Sequence, residues 1–286
     1  MFQIGEIEIY PVSAGLVQVD GGGAFGLVPR VLWSRYLPPD DQNRVPMTLT
    51  CLLVRAAGKT IVVDTGMGDK LPPKLVQQWG LTHPRGTLLD GLARMGIQPE
   101  DVDIVINTHL HSDHCAGNTT VGPDGELRAT FPRAEYVVQR REYEDAIRPN
   151  ERTRATYVPF NYEPLYRTGQ LTLLDGDTEI APGVRAVVTP GHTPAHQVVV
   201  FESGGQHALF VADLASYAVH FERLGWMTAY DVEPLVTLET KRHWQRWALD
   251  HDALLIFQHD TQKGAGHLHA DAEGHPIVRP VEVVLA

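Results

Sequence analysis

Six residues constrain this sequence more than any other stretch. His109-Leu110-His111-Ser112-Asp113-His114 places three imidazoles and a carboxylate directly after VDIVIN at 102–107, which reads as a short buried strand. Side chains leaving a fixed strand end keep their mutual geometry. His109 and His111 stand two apart, so a turn can aim both rings at one point, while Asp113 and His114 can reach a second point beside it. Imidazole and carboxylate are the ligands that zinc and similar borderline divalent metals take. A solvated polar turn with hydrogen-bonded histidines is the alternative. Four ligand-type residues within six weigh against it.

The rest of the chain alternates strand-like and helical segments. MFQIGEIEIY (1–10) has the period of a half-buried strand, and 48–66 reads as a hairpin turning at Ala57-Gly58-Lys59. Further strands are predicted at 134–139, 171–174, 184–189, 196–202, 207–212 and 253–258, with helices at 86–95, 140–148 and 237–250. Strands mixed with helices in both halves predict sheets covered by helices, an α/β sandwich. Gly21-Gly22-Gly23 lacks the Gly-Lys-Ser/Thr of a phosphate loop and reads as a flexible turn. At about 150 residues per domain the chain could hold two domains or one large one. With no linker, repeat or low-complexity tract, we read one domain over 1–286, carrying long loops at about 20–47 and 149–168. Loops of that length in compact domains tend to be lids or binding loops, so Phe25, Trp33, Tyr157 and Phe160 are taken as candidate pocket residues.

Composition removes several classes of function. Hydrophobic residues at 43% and charged residues at 21% exclude disorder, collagen and a disulfide scaffold. A net charge of −11 without a basic stripe argues against nucleic acid as a partner. No apolar run approaches the roughly 20 residues that span a bilayer, and the first residues do not read as a signal peptide. Two cysteines, Cys51 and Cys115, suit a reducing cytosol, so a cytoplasmic protein is expected.

The run at 109–114 resembles the His-x-His-x-Asp-His signature of the metallo-β-lactamase superfamily, and later segments match that family in order. Asp64-Thr65-Gly66 resembles an early motif whose aspartate supports the metal site. Thr189-Pro190-Gly191-His192-Thr193-Pro194 is similar to its Gly-His-Thr-Pro turn, Asp213 ends the strand that carries a bridging carboxylate, and His259 supplies the last imidazole. The resemblance implies an αββα sandwich, two mixed sheets flanked by helices, with two divalent metal ions. Zinc is expected, with manganese, cobalt or iron as alternatives. By the same resemblance His109, His111 and His192 would hold one ion, Asp113, His114 and His259 the other, and Asp213 would bridge them along with a hydroxide. Asp113 could also orient that hydroxide. His196 is expected behind the ligands, and the remaining histidines at the surface or in packing.

Within the superfamily the chain is similar to the branch of N-acyl-homoserine lactonases and methyl parathion hydrolases. The bridging Asp213 disfavours antibiotic hydrolysis, and the short tail after His259 lacks the helical region of glyoxalase II. That branch implies hydrolysis of a small-molecule lactone or ester, most simply an acyl-homoserine lactone in quorum quenching. A phosphotriesterase or aryl esterase is the alternative. Lactonases of the branch place a tyrosine soon after the bridging aspartate; here Tyr217 follows Asp213 by four, one further than the pattern, and is the catalytic candidate. Apolar lips also suggest a homodimer.

Overall fold

The alternation of strand-like and helical segments resolves into sixteen strands and nine α-helices among residues 1–285, which a computed structural model describes. Strands β1 (Phe2–Ile4), β2 (Ile7–Asp20), β3 (Arg44–Ala56), β4 (Lys59–Val63) and β5 (Ile104–Ile106) begin one sheet. A small hairpin follows, β6 (Thr119–Val121) with β7 (Leu127–Ala129), and then β8 (Glu135–Gln139) and β9 (Leu171–Leu174) complete that sheet in the order β1-β2-β3-β4-β5-β8-β9. The second sheet takes β10 (Thr178–Ala181), β11 (Val184–Val188), β12 (Gln197–Ser203), β13 (Gln206–Phe210), β14 (Leu254–Ile256), β15 (Ala265–Ala270) and β16 (Pro276–Pro280), in sequence order. Both sheets are mixed. Pairing turns parallel at β4–β5, β5–β8 and β8–β9 in the first and at β13–β14 in the second.

Strand alternation explains why the sheets stack and why helices cover both outer faces. Leu52, Val54, Ile61, Val63 and Ile106 of the first sheet meet Val199, Phe201, Phe210 and Ile256 of the second in one buried layer. Their neighbours point outward. Leu53, Val62 and Val105 pack under Leu88 and Leu92 of α4 (Leu88–Arg94), whereas Val198, Val200, Leu209 and Leu255 pack under Trp244 and Ala248 of α9 (Pro234–Asp250). The result is the αββα order of layers.

The remaining helices are α1 (Gly21–Phe25), α2 (Arg30–Tyr36), α3 (Pro73–Trp79), α5 (Ser112–Cys115), α6 (Arg140–Ala146), α7 (Glu163–Arg167) and α8 (Ala218–Glu222). Several expectations need correction against them. Residues 1–10 are not one strand but a hairpin turning at Gly5, and β2 runs on to Asp20. The segment 20–47 is not a loop: it holds α1, α2 and the start of β3. The segment 149–168 contains a 3-10 turn at Pro159–Asn161 and α7. Glycine is a poor helix former, yet Gly21-Gly22-Gly23 opens α1, with Asp20 accepting from Gly23 N at 3.0 Å. Packing overrides propensity, because a Cβ at Gly21 would strike the Trp33 ring. The 57–59 turn is as expected, with Ala57 and Gly58 both at positive φ. Among the described residues no helix is long and apolar enough to cross a membrane.

Two contacts made by α9 brace the region around the site. Gly191 sits at φ 140° against this helix, where a Cβ would stand 2.5 Å from Thr237 Cα. Gly191→Ala should therefore destabilise the fold by about 2–4 kcal/mol, read as a lower denaturant midpoint. Lys241, buried in α9, donates to the carbonyls of His220 (3.0 Å) and Trp226 (2.6 Å). Burial pushes its ammonium down to about 8. A folded pKa below the unfolded one means the unfolded chain binds more protons between the two values, so stability there rises with pH. Wild type should gain stability relative to Lys241→Met as pH climbs from about 8 to about 10.5, measured by chemical denaturation across that window.

Candidate metal centre

Ligand-type side chains gather where strands of both sheets end. Past β5, Thr108 to His111 turn outward and α5 carries Asp113 and His114. His192 follows β11, Asp213 lies in the 3-10 turn after β13, and His259 follows β14. They form two groups that share a carboxylate. Ligand atoms of His109, His111, His192 and Asp213 lie within 4.8 Å of one another, as do those of Asp113, His114, His259 and Asp213. Asp213 stands between them: its Oδ2 is 3.2 Å from His192 Nε2 and 3.3 Å from His114 Nε2, and its Oδ1 is 3.2 Å from His259 Nε2.

Backbone strain and buried acids hold this arrangement. Asp64 and Ala212 adopt positive φ, 55° and 46°. Such conformations cost on the order of 1–3 kcal/mol and persist where surrounding structure demands them. Asp64 accepts from Thr108 N, Thr108 Oγ1 and His114 Nδ1 at 2.8, 2.8 and 2.9 Å. Asp231 takes the Nδ1 of His192 at 2.9 Å, and the Thr48 carbonyl takes the Nδ1 of His259 at 2.7 Å. Glu142, fully buried on α6, accepts from Leu110 N, the Tyr157 hydroxyl and the Thr193 hydroxyl at 3.0, 3.0 and 2.6 Å. It thereby ties the 109–114 turn to the 189–194 turn. His196 lies behind the ligands, its Nδ1 on Thr189 and its Nε2 accepting from Asp213 N.

These second contacts decide which nitrogens face inward as lone pairs. A carbonyl and a carboxylate can only accept, so His259 and His114 carry their protons on Nδ1. Their Nε2 atoms nevertheless face each other at 3.2 Å. Two bare lone pairs at that distance repel unless something positive lies between them. His192 Nε2 and His111 Nδ1 stand at 3.1 Å, and His109 Nε2 is buried without a hydrogen-bond partner among the described residues. Nitrogen ligands of one tetrahedral zinc stand about 3.3 Å apart, so the donor set fits a divalent cation in each group.

The electrostatics agree. Burial and the surrounding imidazoles push His109 well below its ordinary range, and burial with His192 takes His111 down to about 3. Burial opposes charge on Asp113, but His114 and His259 outweigh it and hold the carboxyl at about 2. Burial would also lower His114, yet Asp113 and Asp213 outweigh it and raise the imidazole well above its usual range. Positive charge is favoured there, whether a proton or a cation supplies it.

Above the two groups lies a pocket walled by Val19, Ala24, Met47, Trp79, Tyr217 and Tyr230, with His111, Asp113, His192 and Asp213 at its floor. The four expected pocket aromatics lie elsewhere. Phe25 and Trp33 are buried in a stack 5.1 Å apart, and Tyr217 stacks on the other side of Phe25 at 5.5 Å, so they form the core behind the wall. Tyr157 is buried with its ring 5.1 Å from that of His111 and its hydroxyl on Glu142. Phe160 is 65% exposed on the 3-10 turn. Tyr217 does reach the pocket, but its hydroxyl donates to the Pro46 carbonyl at 3.3 Å. The position three after Asp213 is Ser216, which donates to Asp213 Oδ1 at 2.7 Å. Asp231 and Glu142 carried no local signal, since they reach His192 and Leu110 across 39 and 32 positions, and Tyr230 enters the pocket from a segment that no motif marks.

Comparison with known proteins places this geometry. A family model described as the metallo-beta-lactamase superfamily matches residues 46–259. An N-acyl homoserine lactonase from a Bacillus species is 29% identical over 253 residues, which cover 79% of this chain and 90% of that one. A probable metal-dependent hydrolase from Staphylococcus aureus superposes with a TM-score of 0.90 at 28% identity, over the whole of both chains. AidC, a dizinc quorum-quenching lactonase solved with N-hexanoyl-L-homoserine, shares the fold at a TM-score of 0.77 and 20% identity, over 98% of this chain and 97% of that one. The chain belongs to the metallo-β-lactamase superfamily and is a metal-dependent hydrolase of that family.

Proposed function

We propose that this protein hydrolyses lactone rings, with N-acyl-homoserine lactones as the substrate class. One observation carries the reading: two ligand groups sharing Asp213 form the floor of a pocket whose walls are largely apolar. A polar ring can meet the floor while an acyl chain follows Val19, Met47 and Trp79. The Bacillus relative, named an N-acyl homoserine lactonase and similar over most of both chains, supports the same substrate class.

In this reading His109, His111 and His192 hold one ion, Asp113, His114 and His259 the other, and Asp213 both. Zinc suits these nitrogens and oxygens, and manganese, cobalt or iron can take the same ligands. Divalent ions held there supply Lewis acidity and a water acidified toward neutrality. The chain's own groups do the rest. Ser216 fixes the rotation of the Asp213 carboxylate, and Asp64 and Asp231 fix the rings of His114 and His192. Asp113, less buried than the other ligands, faces the pocket, where its free lone pairs can orient an attacking water. The buried apolar stack of Phe25, Trp33 and Tyr217 keeps bulk water from the back of the wall.

Two outcomes test this. His111→Ala should cut turnover by at least about a thousandfold and lower bound metal from about two ions per chain to about one. Elemental analysis of the dialysed protein reads the metal; full occupancy with full turnover would refute the ligand assignment. In steady-state assays of metal-loaded protein, some homoserine lactone should exceed about 10⁴ M⁻¹s⁻¹ in kcat/KM and outrun an aryl phosphotriester. Faster phosphotriester cleavage than cleavage of any lactone would replace the substrate and leave the metal centre standing.

A further inference from the structure

We propose that Tyr230 is the catalytic hydrogen-bond donor of this pocket, its phenol holding the ring oxygen of the lactone as that oxygen departs. Five hydroxyls line the pocket, those of Thr156, Ser216, Tyr217, Thr228 and Tyr230. Four already have acceptors within the protein. Thr156 donates to the Thr153 carbonyl (2.8 Å), Ser216 to Asp213 (2.7 Å), Tyr217 to the Pro46 carbonyl (3.3 Å) and Thr228 to Asp231 (3.0 Å). The Tyr230 hydroxyl donates to no group among the described residues, and a phenol is protonated at neutral pH.

The chain around Tyr230 is held firmly. Its N–H donates to Thr228 Oγ1, the same oxygen that donates to Asp231, and Asp231 in turn holds His192. Ala229 N donates to the Gly23 carbonyl at 2.9 Å, and Val232 N donates to the His192 carbonyl at 3.1 Å. Arg152 clamps the outer side, donating to the carbonyls of Ala229 and Asp231 at 2.7 and 3.0 Å. The backbone at Tyr230 therefore keeps a set position relative to a floor residue, and from it the phenol, 43% exposed, lines the open side of the pocket. Gly23 makes that position possible: a Cβ there would collide with the hydroxyl and stand 2.9 Å from Tyr230 Cζ.

The role rests on the lactonase reading above. Ring opening forms a bond from a water oxygen to the acyl carbon and breaks the bond from that carbon to the ring oxygen. The electron pair of the broken bond stays on the ring oxygen, which takes a proton originating from the water; the product is a hydroxy acid. The carbonyl oxygen under attack faces the floor, so the departing oxygen is the charged atom left in need of a donor. Tyr230 supplies a hydrogen bond there and keeps its own proton.

Leaving-group dependence tests this in the metal-loaded enzyme. With Tyr230→Phe, kcat on a homoserine lactone should fall about a hundredfold, the scale for one lost oxyanion donor, while KM stays within about threefold. On p-nitrophenyl acetate, whose leaving group needs little help, kcat should fall less than about threefold, so the slope across a series of aryl and alkyl esters steepens. Gly23→Ala, which keeps the phenol but displaces it, should give the same steepening, and the double variant should be no worse than either single one. A binding readout is independent of turnover: Tyr230→Phe should weaken the ring-opened hydroxy acid about fivefold and leave the matching deoxy acid unchanged. Equal losses on all leaving groups, or no loss, would overturn the assignment. If wild type opens no lactone, the proposed function fails while the ester slopes still decide for or against Tyr230. Absence of both lactone opening and ester cleavage would overturn both.

Discussion

The site depends on a positive charge held between buried imidazoles and carboxylates. His114 and His259 each give their Nδ1 proton to an acceptor, Asp64 and the Thr48 carbonyl, so their Nε2 atoms confront each other at 3.2 Å, a contact that is repulsive unless a proton or a cation lies there. Strands of two different sheets deliver the rings to one place. A cation between them turns repulsion into attraction, and Asp213 offers one carboxylate to both ligand groups. Metal affinity and folding are thereby coupled through the same contacts.

Outside the ligands, the structure is organised to keep those rings from turning. Buried acids do most of it. Asp64 holds the 109–114 turn against the strand end of β4, Asp231 holds His192, and Glu142 joins the two ligand turns from α6. Asp64 is satisfied by donors of the 109–114 turn and Glu142 by donors of both turns and Tyr157, which makes their burial tolerable, whereas Asp231 receives His192 and Thr228 on Oδ1 and its buried Oδ2 has no hydrogen-bond partner among the described residues. The positive φ at Asp64 and Ala212 belongs to the same economy, since both residues sit where a strand breaks to present a ligand or its support.

The two groups of ligand-type side chains that the structure brings together were legible in the sequence because their spacing is local and their chemistry is distinctive. His109 to His114 follow one strand within six residues, and His192, Asp213 and His259 each follow an apolar run. The layered fold was legible for a related reason, since alternation in β3, β4, β12 and β13 separates inner from outer faces. What escaped was long-range or ran against propensity. Asp231 supports His192 across 39 positions, and Thr193 meets Glu142 across 51. Glycines at 21–23 form a helix only because Trp33 and Tyr230 pack where side chains would be. Phe25 and Trp33 were expected to line the pocket because 20–47 read as a long loop, and that segment instead forms α1 and α2, whose aromatics pack as core. Tyr217, near the expected spacing, has its hydroxyl engaged by Pro46, whereas Tyr230 had no spacing to mark it.

The most direct test of the centre is a crystal of zinc-loaded protein with data collected on both sides of the zinc absorption edge. Two anomalous peaks should appear, one among His109, His111 and His192 and the other among Asp113, His114 and His259, with Asp213 in contact with both. A single peak, or peaks away from these residues, would contradict the shared two-cation centre on which this account rests.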